Sequence, residues 1–178
     1  PAALVSLFLQ SKGIVVEKTG NYALLVLFSL GISRGKSGTL LSELFQLKGH
    51  YDRDESLEDF LPELVELYPE RYQSMSFQQL AAEMHDFFRG HDAAAVSADV
   101  YGTLPDQVTT PRDASQAMVG GHVDRVPLAE ADGRVTAVMI VPYPPGIPVI
   151  MPGERFDSKR TPLLFQFLSI LAEFDSRF

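Results

Sequence analysis

Apolar residues recur at helical spacing from the start of the chain. Leu4, Val5, Phe8 and Leu9 share one face of a helix over 2–11, and Gly13 follows where a left-handed stop belongs. The β-branched residues Ile14, Val15 and Val16 read as a strand, and Thr19-Gly20-Asn21 carries turn chemistry before the apolar run Tyr22 to Leu30. This pattern predicts a hairpin whose second strand is buried on both faces. From Ser33, an N-cap, Leu40, Leu41, Leu44, Phe45 and Leu47 mark one side of a helix ending near Gly49. The charged stretch Tyr51 to Glu55 is the best linker candidate.

Further along, Leu57 to Leu67 is a helical region interrupted by Pro62, and Phe77 to Phe88 is a helix capped by Ser76 and stopped at Gly90. Ala93 to Tyr101 continues as helix. Thr110-Pro111-Arg112-Asp113 is a helix start, with a capping hydroxyl, Pro at the first position and an acid in the first turn. His122 to Leu128 alternates as a strand, Ala131-Asp132-Gly133 makes a turn, Arg134 to Val141 is a second strand and Val149 to Met151 a third. An amphipathic helix over Ser158 to Phe174 closes the chain, with Leu164, Phe167, Leu168 and Leu171 on its buried side. Helices and strands are segregated, which predicts an α+β class with a small sheet and several packed helices.

Composition narrows the function classes. The 178 residues are 46% hydrophobic with twelve Phe and six Tyr, enough apolar area for a core. The longest apolar run, nine residues at 22–30, falls short of the roughly 18 needed for a membrane span. A net charge of −8, without a clustered basic surface, opposes nucleic-acid binding. With no Cys there is no disulfide framework or thiolate metal site, and the default setting is cytoplasmic. Pro1 leads straight into the apolar pattern, which reads as a cut inside a larger protein.

Candidate chemistry is sparse. Leu30 to Ser37 looks like a phosphate-binding loop, but that motif needs Gly five residues before Gly35-Lys36, and position 30 is Leu. His50, His85, His91 and His122 form no i, i+4 pair, so no metal site is expected. No Gly-x-Ser-x-Gly elbow occurs. Glu17 closes the strand Ile14-Val15-Val16, where a carboxylate can receive a cationic ligand, although periodicity alone reads Glu17 and Lys18 as polar residues at a hairpin end. Pro142-Tyr143-Pro144-Pro145-Gly146-Ile147-Pro148-Val149-Ile150-Met151-Pro152-Gly153-Glu154 holds five Pro in thirteen residues. It can be neither a regular helix nor a central strand, and reads as a rigid crossover between strands.

Glu17-Lys18-Thr19-Gly20 after a β-branched strand, Leu27-Phe28-Ser29-Leu30-Gly31-Ile32, Thr110-Pro111, and the Pro-rich element through Glu154 together resemble the bacterial ornithine/lysine/arginine decarboxylases, in the same order along the whole chain. The resemblance implies large cytoplasmic pyridoxal-phosphate enzymes with a wing domain, a cofactor domain of aminotransferase type, its small domain and a C-terminal α+β domain. Residues 1–54 would be the end of the small domain and 55–178 most of the C-terminal domain, the chain being cut at both ends.

On that resemblance the Schiff-base Lys, the His stacked on the cofactor and the Asp at its pyridine nitrogen lie upstream. No catalytic or cofactor-binding residue is then expected here, and the isolated piece is expected to be inactive without pyridoxal phosphate of its own. The family's pattern assigns Glu17 to the distal cation of a basic amino acid substrate and places Tyr143 near the substrate channel. It implies decarboxylation of lysine or arginine, ornithine being less favoured, in homo-oligomers built from dimers, often decamers. The alternative is a packing or oligomerisation module without catalysis.

Overall fold

A computed structural model describes all of residues 1–178. The chain packs as two compact units, 1–88 and 89–178, and the division expected after residue 54 falls inside the first. The architecture is α+β, with nine α-helices and one two-stranded antiparallel sheet.

In the first unit, helix α1 (Ala2–Ser11) buries Leu4, Phe8 and Leu9 and ends at Gly13, whose φ of 75° supplies the left-handed stop. Strands β1 (Lys18–Thr19) and β2 (Leu24–Leu25) pair in the register Lys18 with Leu25 and Thr19 with Leu24. The hairpin is tied to α1 by the Thr19 hydroxyl, which donates to Ser6 Oγ at 3.0 Å, and by Ala2 N–H, which donates to the Asn21 carbonyl at 2.9 Å.

Helix α2 (Arg34–Asp52) starts at Ser33, whose Oγ accepts from Lys36 N–H. It is followed by short helices α3 (Leu57–Phe60), α4 (Pro62–Leu67) and α5 (Pro69–Tyr72), and by α6 (Phe77–Gly90). Pro62 and Pro69 each sit at the first helical position, where the missing N–H costs nothing. The starts of α3 and α6 lie back to back: Leu57 N–H donates to the Met75 carbonyl and Phe77 N–H to the Glu55 carbonyl. Ser76 and Gln79 form a capping box at α6, each side chain accepting from the other's backbone N–H, while at α3 the Ser56 hydroxyl accepts from Asp59 N–H and donates to the Asp59 carboxylate. Between them stands an aromatic column in which Phe60 stacks on Phe8 at 5.2 Å and on Phe77 at 3.9 Å between ring centres. His50 meets Phe8 edge-on and pairs through Nδ1 with Glu55, so 51–55 is a bonded corner. The hydrogen bonds from His50 and then Arg53 hold the Glu55 carboxyl below its usual range.

In the second unit, α7 (Ala93–Asp99) packs on α9 (Pro162–Arg177), joined by His91 Nε2 and Glu173 at 3.3 Å. Helix α8 (Pro111–Val119) is capped by the Thr110 hydroxyl, which accepts from Asp113 N–H. Residues 133–140 and 106–109 flank the irregular segment 149–156 and bond to it.

Several expectations are corrected. Only Leu24 and Leu25 of the run at 22–30 pair, and the run is not buried on both faces: Phe28 is 59% and Leu27 65% exposed. Helix α2 buries no residue, and Phe45 on its apolar side is 74% exposed. Apolarity predicts that these residues need cover, but says nothing about which element supplies it. Residues 122–128 form no strand, and 134–141 pairs through isolated bridges, Val135 with Arg155 and Ile140 with Ile150, instead of with 122–128. The regular sheet is therefore the hairpin of the first unit. Helix α9 begins at Pro162 and not at Ser158, because the Asp157 carboxylate takes the N–H groups of Lys159 and Arg160 and holds 157–161 as a turn. Ile170, not Leu171, completes its buried side.

Phe60→Ala opens the middle of the aromatic column. It is expected to lower the stability of the 178-residue chain by about 3–5 kcal/mol, read from the urea midpoint. Phe45→Ala is expected to change it by less than about 0.5 kcal/mol.

Candidate functional site

Glu17 lies one residue before β1, and its backbone N–H donates to the Leu25 carbonyl at 2.8 Å. The hairpin closes through Gly20 N–H, which donates to the Ala23 carbonyl at 2.9 Å. These bonds fix the backbone on which Glu17 stands, and the residue is exposed. Around it the hairpin exposes Val15, Leu25 and Leu27, so the carboxylate sits at the margin of apolar surface. Such a margin suits a ligand with an aliphatic stem and a cationic end, because the stem loses water while the charge meets an oxygen pair.

The Pro-rich segment crosses between Ile140 and Ile150, which pair through an isolated bridge and not through the regular strands expected on either side. It leaves Ile140, returns at Val149, and is closed by Gly146 N–H donating to the Pro142 carbonyl at 2.8 Å. The Tyr143–Pro144 and Pro144–Pro145 peptides are both cis. Gly146 has a φ of 83°, and a Cβ there would come within 3.3 Å of the Tyr143 ring, so the ring rests against the glycine. Tyr143 is 61% exposed at the tip. Glu17 belongs to the first unit and Tyr143 to the second, and each is positioned by its own unit's hydrogen bonds.

Four further residues hold this region, of which Tyr101 alone lay outside the turn and the Pro-rich element picked out in the sequence. The Tyr101 hydroxyl donates to the Ile147 carbonyl at 3.1 Å, and burial pushes its pKa up. Glu154 accepts from Met151 N–H at 2.7 Å. Gly153 (φ 90°) could hold no side chain, because a Cβ would lie 2.2 Å from the Thr109 carbonyl oxygen. Asp132 accepts from Ser158 N–H at 2.7 Å and from Ser158 Oγ at 3.0 Å, tying the 131–133 turn to the approach to α9. The Pro-Gly pair Pro152-Gly153 is the turn signal that could have marked Gly153.

The histidines are dispersed. His50 is paired with Glu55, His85 Nδ1 is bonded to the Tyr22 hydroxyl at 2.8 Å, His91 faces Glu173, and His122 is on the surface of the second unit. No three His, Asp or Glu side chains gather in a metal-binding geometry. The segment 30–37 is the turn and first residues of α2, with Ser33 as its cap.

Known proteins resemble the chain over its whole length. Lysine decarboxylase LdcA of Pseudomonas aeruginosa is 43% identical across 100% of the chain, which covers 24% of that protein. The constitutive lysine decarboxylase of Escherichia coli is 43% identical across 96% of the chain and is covered to 24%. The biodegradative arginine decarboxylase of the same organism is 38% identical across the full chain and is covered to 23%. Among solved structures, the Francisella novicida lysine decarboxylase LdcF superposes with a TM-score of 0.92 at 38% identity, covering 100% of this chain and 25% of that one. The chain thus spans about a quarter of the length of the curated relatives it matches.

The class defined by these matches is that of the amino acid decarboxylases. The chain belongs to the bacterial Orn/Lys/Arg decarboxylase family, and residues 94–178 match the family's model of the Orn/Lys/Arg decarboxylase C-terminal domain.

Hydrogen bonds from Ser158, backbone first and then side chain, hold the Asp132 carboxyl below the ordinary aspartate range. A carboxyl lowered in the folded state contributes stability that is present above the ordinary value of about 4 and is lost as pH falls through the lower folded value. Carboxyl-carbon NMR titration is expected to place Asp132 below the ordinary aspartate value, with Ser158→Ala raising it toward that value. An unchanged titration in Ser158→Ala would remove Ser158 as the cause.

Proposed function

We propose that the chain is part of a pyridoxal-phosphate-dependent decarboxylase acting on lysine or arginine, with ornithine less favoured, and that its share of the work is to bind and orient substrate. The observation that carries this reading is the match to lysine and arginine decarboxylases along the entire chain, with Glu17 held at an exposed hairpin margin. In the proposal residues 1–54 end a small domain of aminotransferase type and 55–178 belong to the C-terminal domain. The parent enzyme is cytoplasmic and assembles from dimers, in some cases into decamers.

Within this reading Glu17 accepts a charge-assisted hydrogen bond from the distal ammonium or guanidinium of the substrate. One carboxylate serves either head group, so Glu17 does not choose between lysine and arginine. Tyr143 lines the approach to the substrate, held by the closed Pro-rich turn and by Tyr101 beneath it. The cofactor supplies the electron sink for the loss of CO₂, and the residues here do not fit its attachment. No lysine is buried: Lys12, Lys36, Lys48 and Lys159 are exposed and Lys18 is half-buried in a two-residue strand. A Schiff-base lysine works desolvated and held against its partner groups, so no step is assigned to these residues and the isolated chain is proposed to be inactive. The second reading, a packing or oligomerisation module, draws on the uncovered apolar faces of 24–30 and α2.

In the full-length enzyme Glu17→Gln is expected to lower kcat/KM for the preferred basic amino acid by about 10- to 150-fold, the worth of a hydrogen bond to a charged group. Unchanged kcat/KM for lysine, arginine and ornithine alike removes Glu17 from the substrate site. The 178-residue chain mixed with pyridoxal phosphate is expected to show no internal-aldimine absorbance and no CO₂ release. Stoichiometric cofactor binding with turnover would overturn the proposed inactivity.

A further inference from the structure

The hairpin at whose base Glu17 stands is too short to hold itself. Strands β1 and β2 contribute two residue pairs, Lys18 with Leu25 and Thr19 with Leu24, and an isolated two-stranded hairpin is marginally stable at best in water. Its orientation therefore comes from the helices around it. On one side it is tied to α1, by the Thr19 hydroxyl on Ser6 Oγ and by Ala2 N–H on the Asn21 carbonyl. Ties to a single helix leave the hairpin free to rock about that helix. A tie to a second helix removes the freedom.

Tyr22 supplies that tie. It follows the Thr19-Gly20-Asn21 turn, and its hydroxyl bonds to His85 Nδ1 at 2.8 Å. Its ring meets the His85 ring at 5.7 Å and 67° and the Phe88 ring at 5.6 Å and 72°, edge to face in both cases. His85 and Phe88 are three residues apart on one side of α6, so the phenol lies across neighbouring turns of that helix. With Nδ1 unprotonated the phenol donates to it, and with Nδ1 protonated the phenol oxygen accepts, so either form of the imidazole keeps the bond.

Helix α6 does not need this contact, because Phe77, Leu80, Met84 and Phe87 already anchor its buried side. A hydrogen bond between two exposed side chains also adds little to the stability of the unit. What depends on it is the place of the hairpin. From Tyr22 the chain pairs back through Leu24 and Leu25 to Glu17, whose N–H donates to the Leu25 carbonyl, so a displacement at the turn reaches the carboxylate through one short ladder. We propose that Tyr22 and His85 are positioning residues for Glu17: with the α1 ties they clamp the hairpin between two helices and fix where the carboxylate meets the distal cation of a basic amino acid. The inference rests on the reading of Glu17 as the partner of that cation, and it gives His85 no contact with substrate.

Kinetics of the full-length enzyme on lysine and arginine test the clamp. Tyr22→Phe keeps the ring and removes the hydroxyl, His85→Ala removes the acceptor, and His85→Asn keeps a polar atom near the place of Nδ1. Tyr22→Phe and His85→Ala are each expected to raise KM about 2- to 10-fold with kcat nearly unchanged. The two together are expected to do no more than either alone, because they share one bond, and His85→Asn is expected to recover most of the loss. In a Glu17→Gln background Tyr22→Phe is expected to add less than about 2-fold. By hydrogen–deuterium exchange the Glu17 and Gly20 amides, which close the hairpin, are expected to quicken in Tyr22→Phe while the Leu80 and Met84 amides of α6 stay as they were. Unchanged KM in Tyr22→Phe and His85→Ala, with Glu17→Gln still damaging, overturns the positioning role, and so does an undiminished effect of Tyr22→Phe on top of Glu17→Gln. Faster exchange at Leu80 and Met84 overturns it as well, since the pair would then support α6. Unchanged kcat/KM in Glu17→Gln overturns the reading of Glu17 itself, and exchange then judges the clamp alone: faster Glu17 and Gly20 amides uphold it, unchanged amides overturn it.

Discussion

Backbone hydrogen bonding across residues 149–156 is the constraint on which the second unit depends. Its irregular segments bury Val149, Ile150 and Phe156, so the peptide groups drawn in beside them must find partners. On one side Phe156, Gly153 and Glu154 exchange bonds with Arg134 and Thr136; on the other, Val108 and Thr109 N–H donate to the Gly153 carbonyl and Arg155 N–H donates to the Asp106 carbonyl. Gly153 is the point of closest approach, since its missing Cβ lets the Thr109 carbonyl pass where no other residue would allow it. The Pro-rich crossover begins and ends on this segment's pairing with Ile140, so the position of Tyr143 inherits the same bonds.

Helix ends were legible in the sequence because their signals are local. Ser33, Ser76 and Thr110 cap the helices expected of them, Pro62 divides its region, and Gly13 stops α1. Pairing was not legible, because it is decided by residues far along the chain. The alternation at 122–128 is that of a strand, but the segment has no partner within 1–178, while 134–141 turns toward 150–156 across the proline crossover. Asp157 shows a local competition that pattern reading missed: its carboxylate captures two N–H groups that would otherwise have begun a helix at Ser158.

Glu17 was visible as a carboxylate after the β-branched run Ile14 to Val16, which forms no strand since pairing begins at Lys18, and pattern alone could not raise it above an ordinary surface residue. The structure adds the exposed apolar surround and the fixed hairpin backbone. Tyr143 was visible through its prolines. Tyr101, which holds the same loop, was not, because it acts through one hydrogen bond to the Ile147 carbonyl, distant in the sequence.

The two units solve the problem of exposed surface differently. In the first, the uncovered groups are side chains: Phe28, Leu27 and Phe45 cost free energy in water but impose no geometry on whatever covers them. In the second, the uncovered groups along 123–126 and at Val135 and Ala137 include peptide N–H and C=O, which bond to water or to partners at fixed spacing and direction. An apolar face accepts many partners of the right shape, whereas an open strand edge accepts a strand in one register and one of two senses.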